Sequence, residues 1–229
     1  MSIKPIIFGS TGMVGEGVLH VCLHHPEVES VLVINRRPCE VQHPKLTEII
    51  HSDFYNYSSI LDKLKGYNAC YFCLGVTSIG KSEAEYTRIT YNLTMAAAKA
   101  LVSLNPDMTF CYVSGAGTDG TEKGKSMWAR VKGKTENDVA KLPFRAAYAF
   151  RPGFIKPIKG LKHGYRVSRV IGTVYPLLKL LAGKYVCTLE DLGLSMIHVS
   201  TKGYDKRVLE CVDIARTAEV MTQAESSPD

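Results

Sequence analysis

Three glycines in Gly9-Ser10-Thr11-Gly12-Met13-Val14-Gly15 have the spacing of a turn that binds a diphosphate. Glycine permits the tight turn and the close approach of backbone N–H groups. The anion then sits against the N-terminus of the next helix, where unpaired donors and the macrodipole favour negative charge. An apolar run, Ile6-Ile7-Phe8, precedes the glycines, and a helical pattern of Val18, Leu19, Val21 and Cys22 follows them. That strand–turn–helix setting is what the chemistry needs, so residues Gly9 to Gly15 are expected to hold the pyrophosphate of a dinucleotide.

About twenty residues further on, residues 31–34 read as a second buried strand. An NAD site carries Asp or Glu at its end, to accept from the ribose 2′-OH. This chain has Asn35-Arg36-Arg37 instead. Two guanidiniums there attract a 2′-phosphate that a carboxylate would repel. NADP(H) is therefore expected in preference to NAD(H), with a pair of solvated turn arginines as the alternative.

The elements that must position these groups alternate along the chain. Strands are predicted at 3–8, 31–34, 46–50, 69–74, 109–113 and 146–151, with helices starting near Gly12, Tyr57, Glu83 and Ser126. Strands apolar on both faces and separated by helices imply a parallel sheet covered on both sides. The expected fold class is α/β, a single doubly wound parallel-sheet Rossmann domain over residues 1–221. After Arg151 the pattern turns irregular, and an apolar run follows at 170–182. Ligands of such sheets bind beyond the carboxyl ends of the strands, so 155–190 is read as a small C-terminal substrate lid. Residues 222–229 read as a polar, flexible tail.

Composition narrows the function classes. Net charge is +6, and residues 139–189 hold ten basic side chains and no acidic one. Nucleic acid is set aside, because no aromatic interleaving or nucleic-acid motif accompanies the charge. An anionic small-molecule substrate fits, as does a solvated basic face. A membrane-surface contact through 170–182 is the weaker reading, since Gly172 and Pro176 interrupt an amphipathic helix. An oligomer is left open. No apolar run approaches the ~20 residues of a membrane span, and no leader pattern is read, so a cytoplasmic location is expected. The seven cysteines are scattered. Cys70 and Cys73, three apart in a strand, point to opposite faces, so reduced core thiols and no metal are expected.

From residue 3 to about residue 156 the chain resembles the short-chain dehydrogenase/reductase superfamily, in its atypical and extended branches. Gly9-x-x-Gly12-x-x-Gly15 has their spacing, and Asp53-Phe54 looks like the pair that contacts adenine. Leu74-Gly75 ends the fourth strand where the family's backbone lines the cofactor, and Tyr91-Asn92-Leu93-Thr94 resembles an Asn-bearing helix of extended members. Arg151-Pro152-Gly153 matches the motif beside the nicotinamide, which implies a supporting role for Pro152, Gly153, Phe154 and Ile155. Val131-Lys132-Gly133 points to the epimerase-like and HIV Tat-interacting-protein branch.

The family's chemistry uses a Ser and a Tyr-x-x-x-Lys, the Lys binding nicotinamide ribose and lowering the Tyr pKa. Ser114 looks like the family Ser and Lys132 like the Lys, but Trp128 stands four residues before it. An indole N–H donates a hydrogen bond and is neither acid nor base near neutral pH. Other proton carriers considered are Tyr86, Tyr91, His163 and Tyr165. Two expectations remain: an NADP(H)-dependent oxidoreductase or epimerase-like enzyme with an altered proton relay, or a non-catalytic NADP(H)-sensing protein.

Overall fold

The computed structural model describes residues 2–162 and 183–226. Strands β1 (Pro5–Phe8), β2 (Val31–Asn35), β3 (Leu46–Ile50), β4 (Ala69–Phe72), β5 (Thr109–Val113), β6 (Ala146–Arg151) and β9 (Val208–Glu210) form one sheet in the order β3-β2-β1-β4-β5-β6-β9. Every pairing in it is parallel. Strands β7 (Phe154–Lys156) and β8 (Val186–Thr188) pair separately, also in parallel.

Alternation along the strands splits the core in two. Ile7, Val33, Tyr71, Cys111 and Phe150 face a layer made by α1 (Met13–His24), α5 (Leu189–Thr201) and α6 (Cys211–Ser226). Ile6, Phe8, Leu32, Ile34, Phe72 and Phe110 face α3 (Leu93–Leu104) and α4 (Met127–Ala140). All residues of β1 and β2 are buried, as strands covered on both faces require. The thiols at Cys70 and Cys73 fall in opposite layers, and all seven cysteines are free. Among the described residues no cluster of side chains could hold a metal.

A capping box between Ser82 and Glu85 starts α2 (Glu83–Thr87), where the sequence places a helix start. One π-helical turn, Arg88–Asn92, then leads into α3. Several expectations change. The first strand begins at Pro5, with Ile3 making only an isolated bridge to Val28. The element near Tyr57 is a 3-10 helix, Ser58–Leu64. Cys73 and Leu74 leave the fourth strand for the site described below. Helix α6 runs through Ser226, and the last three residues of the expected tail lie outside the described residues. The ends of the expected lid meet at β7–β8, with Ile155 opposite Cys187. Its middle, including His163, Tyr165 and the run 170–182, lies outside the described residues.

Candidate active site at the carboxyl ends of the strands

The strand order reverses between β1 and β4, and a cleft of about 380 Å³ opens there. Gly9, Thr11 and Gly12 line it from the glycine turn, Leu74 and Gly75 from the end of β4, and Arg36 and Arg37 from the end of β2. Gly9 has φ +84°, and a Cβ on it would lie 2.8 Å from the Leu74 backbone. A Cβ on Gly15 would lie 2.2 Å from the Gly9 carbonyl oxygen, so the turn closes against α1 only without side chains. Gly12 is different. Its Cβ would meet nothing nearer than 3.5 Å, so the protein leaves open space in front of this N-cap residue. No side chain caps α1, so no side-chain acceptor occupies the N-terminus of the helix. Met13 and Val14 form the first turn, with Val14 packed on the core. The residues present fit a bound diphosphate.

Ser10 and Asn35 do not line the cleft. Ser10 Oγ donates to Asn35 Oδ1 at 2.8 Å, and Asn35 Nδ2 donates to Glu48 Oε1 at 2.7 Å. This relay ties the turn to β2 and β3 and leaves the exposed Arg36 and Arg37 to face the cleft. Phe54 is buried against Phe8 and forms part of the cleft wall. Asp53 Oδ1 accepts from the Tyr55 amide at 2.9 Å; Ser52, Phe54 and Tyr55 line the cleft, and Asp53 does not. Tyr55 itself reaches across, its hydroxyl donating to the Arg88 carbonyl at 3.2 Å.

A second group of residues sits at the ends of β5 and β6. Ser114 is buried, and its Oγ donates to Glu136 and, at 3.1 Å, to the Phe150 carbonyl. Lys132 Nζ donates to the Ser114 carbonyl. The Trp128 ring is half-buried and borders Gly117, whose Cβ would lie 3.6 Å from it. Ala116 donates to the Pro152 carbonyl at 2.9 Å, which stitches the loop after β5 to the one after β6. Gly153 donates to Cys211 Sγ at 3.1 Å, Phe154 is exposed and Ile155 packs on the core. Tyr91 lies apart, its hydroxyl donating to Asp138 at 2.8 Å, and Tyr86 is buried.

Glu136 joins this group without having been singled out from the sequence. It lies one helical turn after Lys132, on the same face of α4. Arg151 grips it twice, Nε to Oε1 at 3.0 Å and Nη2 to Oε2 at 2.5 Å. The Glu side chain is 4% exposed and the Arg 16%. The readable signal was a lysine and a carboxylate four apart, ahead of an arginine at a strand end.

Burial lowers the Lys132 ammonium to about 8, with Glu136 acting in the opposite sense. The native state therefore releases this proton before the unfolded chain does. Relative to Lys132→Met, wild-type stability is expected to rise from about pH 8 toward the ordinary lysine range and to be flat below it. Melting both proteins across that window checks it, and a pH-independent difference would refute it.

No family model matches the chain. It is 25% identical over 169 residues to the mitochondrial protein FMP52 of Meyerozyma guilliermondii, covering 73% of this chain and 72% of that one. It is 31% identical over 155 residues to the mitochondrial protein fmp52-1 of Aspergillus oryzae, covering 65% and 64%. Both relatives are named mitochondrial, which corrects the cytoplasmic expectation. That expectation rested on recognising no leader, and a missing signal carries no address. No described helix is long and apolar enough to cross a membrane. Among solved structures, the NAD-bound dTDP-glucose 4,6-dehydratase DesIV of Streptomyces venezuelae superposes with a TM-score of 0.68 at 14% identity, covering 99% of this chain and 82% of that one. The parallel seven-stranded order, the glycine turn at its reversal and this superposition agree: the chain has a doubly wound, Rossmann-like α/β fold, similar to that of this NAD-bound dehydratase.

Proposed function

We propose that the chain binds NADP(H), in preference to NAD(H), and is an atypical short-chain dehydrogenase/reductase-like oxidoreductase or epimerase-like enzyme without the usual tyrosine. The observation that carries this reading is the convergence of Gly9, Gly12, Arg36 and Arg37 on one cleft. Gly9 to Gly15 and the start of α1 would hold the pyrophosphate, and Arg36 and Arg37 the 2′-phosphate. Ser52, Phe54 and Tyr55 would flank adenine, with Asp53 behind them. Leu74 and Gly75 would lie along the cofactor. Lys132 would hold the nicotinamide ribose, with Pro152 to Ile155 supporting the nicotinamide.

The cofactor, when bound, supplies hydride chemistry. The chain's own part is to orient, exclude water and handle a proton. Trp128 seals the pocket by its ring and donates one hydrogen bond at most. Lys132, whose ammonium burial lowers to about 8, is the group at this site suited to carry the proton. The substrate is a small molecule, and the basic stretch 139–189 favours an anionic one. Residues 155–190 would cover it. By the names of its relatives, we assign the protein to mitochondria.

The second reading is a non-catalytic NADP(H) sensor. Ser114 favours it, because its hydroxyl is committed to Glu136 and Phe150 and does not project from the protein. One titration tests the common part. Trp128 is the chain's only tryptophan, so its emission should quench and saturate at much lower NADPH than NADH. No response from either cofactor, with calorimetry equally silent, would overturn the cleft assignment. Turnover of bound NADPH with a carbonyl substrate panel would favour the enzyme, and tight binding without turnover the sensor.

A further inference from the structure

Two thiols meet where the small sheet joins the large one. Cys187 is the central residue of β8, and Cys211 is the first residue of the sixteen-residue helix α6. Cys187 pairs with Ile155 across β7–β8, β8 packs against α6, and the Gly153 amide, two residues before Ile155, donates to the Cys211 sulfur at 3.1 Å. A helix N-terminus adds its own positive potential. Cys211 also lines an open recess of about 350 Å³ that includes Arg216. An amide donor and a helix start thus converge on one sulfur atom, with a second thiol on the adjoining strand.

We propose that Cys187 and Cys211 are a peroxide-oxidisable dithiol that closes a disulfide between β8 and the start of α6. The seven thiols divide accordingly. Burial raises Cys22, Cys39, Cys70, Cys73 and Cys111, and the neighbouring Cys211 thiol raises Cys187. Cys211 alone is lowered, to about 7, first by the Cys187 thiol and then by the Gly153 amide, against the cost of burial. A thiolate is the nucleophile in such oxidations, so reaction begins at Cys211.

The step balances as follows. Cys211 thiolate attacks one oxygen of hydrogen peroxide, breaking the O–O bond, forming sulfenic acid and releasing hydroxide, which takes up a proton as water. Cys187 sulfur then attacks the Cys211 sulfur. The S–OH bond breaks, and the departing hydroxide takes the Cys187 proton. Two thiols are oxidised by two electrons, and one peroxide is reduced to two waters. The bond would deprive the Gly153 amide of its thiolate acceptor beside Pro152. This inference stands apart from the cofactor reading, since it needs no nucleotide.

The reduced full-length chain is mixed with hydrogen peroxide and glutathione, quenched with an alkylating agent, and mapped without reduction. The Cys187–Cys211 peptide pair should appear first, lighter by two hydrogens, and revert with dithiothreitol. Cys187→Ser should stop at a sulfenic acid on Cys211, trapped by dimedone. Three wild-type results would each overturn the proposal: a first disulfide elsewhere, sulfinic acid on Cys211 with Cys187 alkylated, or intact Cys187 and Cys211 at a dose that consumes the glutathione. Wild-type mapping carries the test even if the serine variant fails to fold.

Discussion

Replacing Arg36 and Arg37 together by alanine is expected to weaken NADPH binding by ~100-fold and to leave NADH within about twofold. Each guanidinium would contribute a charge-assisted bond to the 2′-phosphate, worth roughly 1.5 kcal/mol at an exposed position, and about 1.4 kcal/mol is tenfold in affinity. NADH lacks that phosphate and forfeits only a diffuse attraction, which salt screens. Both arginines are exposed, so stability should move by no more than about 0.5 kcal/mol. Calorimetric titration of both cofactors on both proteins reads the result. Equal loss for the two cofactors would remove the 2′-phosphate role and leave the arginines as a general anion attractor.

The structure explains why these two side chains face the cleft. Asn35 stands where NAD sites carry a carboxylate, yet its amide turns back to Ser10 and Glu48. Glu48 also accepts from the Cys39 amide at 2.9 Å, so its carboxylate is held within the β2–β3 corner. The end of β2 is thereby fixed from three sides, and the next two residues are left to the cleft. The sequence pattern located the arginines, but the relay behind them joins residues thirteen and twenty-five apart, which no local spacing reveals.

Legibility follows the physics of the signal. The strand at 109–113 was readable to the residue because an apolar run fills positions covered on both faces. That at 46–50, at the sheet edge and only partly buried, was readable by its short apolar and β-branched run. The glycine turn was readable because at Gly9 and Gly15 the backbone leaves no room for a side chain. Beyond Arg151 the strands shrink to three residues each, too short for a period to show. The start of α5 was still available, since Thr188 and Asp191 form a capping box. The Cys187–Cys211 meeting was not, because it depends on β7 and β8 bringing distant segments together. Glu136 illustrates the middle case: its face of α4 follows from spacing with Lys132, whereas its grip on Ser114 and Arg151 follows only from the sheet.

That grip makes Glu136→Ala the substitution with the largest expected effect on stability. Glu136 is buried and takes three hydrogen bonds, one from Ser114 and two from Arg151. Removing it strands a mostly buried guanidinium whose remaining acidic partner, Glu210, is 3.4 Å away and half exposed. Breaking a buried pair from one side costs about 3–5 kcal/mol. For a chain of this size that corresponds to a melting temperature lower by about 10 °C. The pair itself need not contribute that much net, since desolvation offsets its attraction, so Glu136→Met with Arg151→Met should recover most of the loss. The same substitution bears on Ser114, whose hydroxyl would be released from its carboxylate acceptor. If Glu136→Ala melts within about 2 °C of wild type, the carboxylate is not holding the ends of β5 and β6 together. Ser114 would then be available to a substrate, and the sensor reading would lose the observation that favours it.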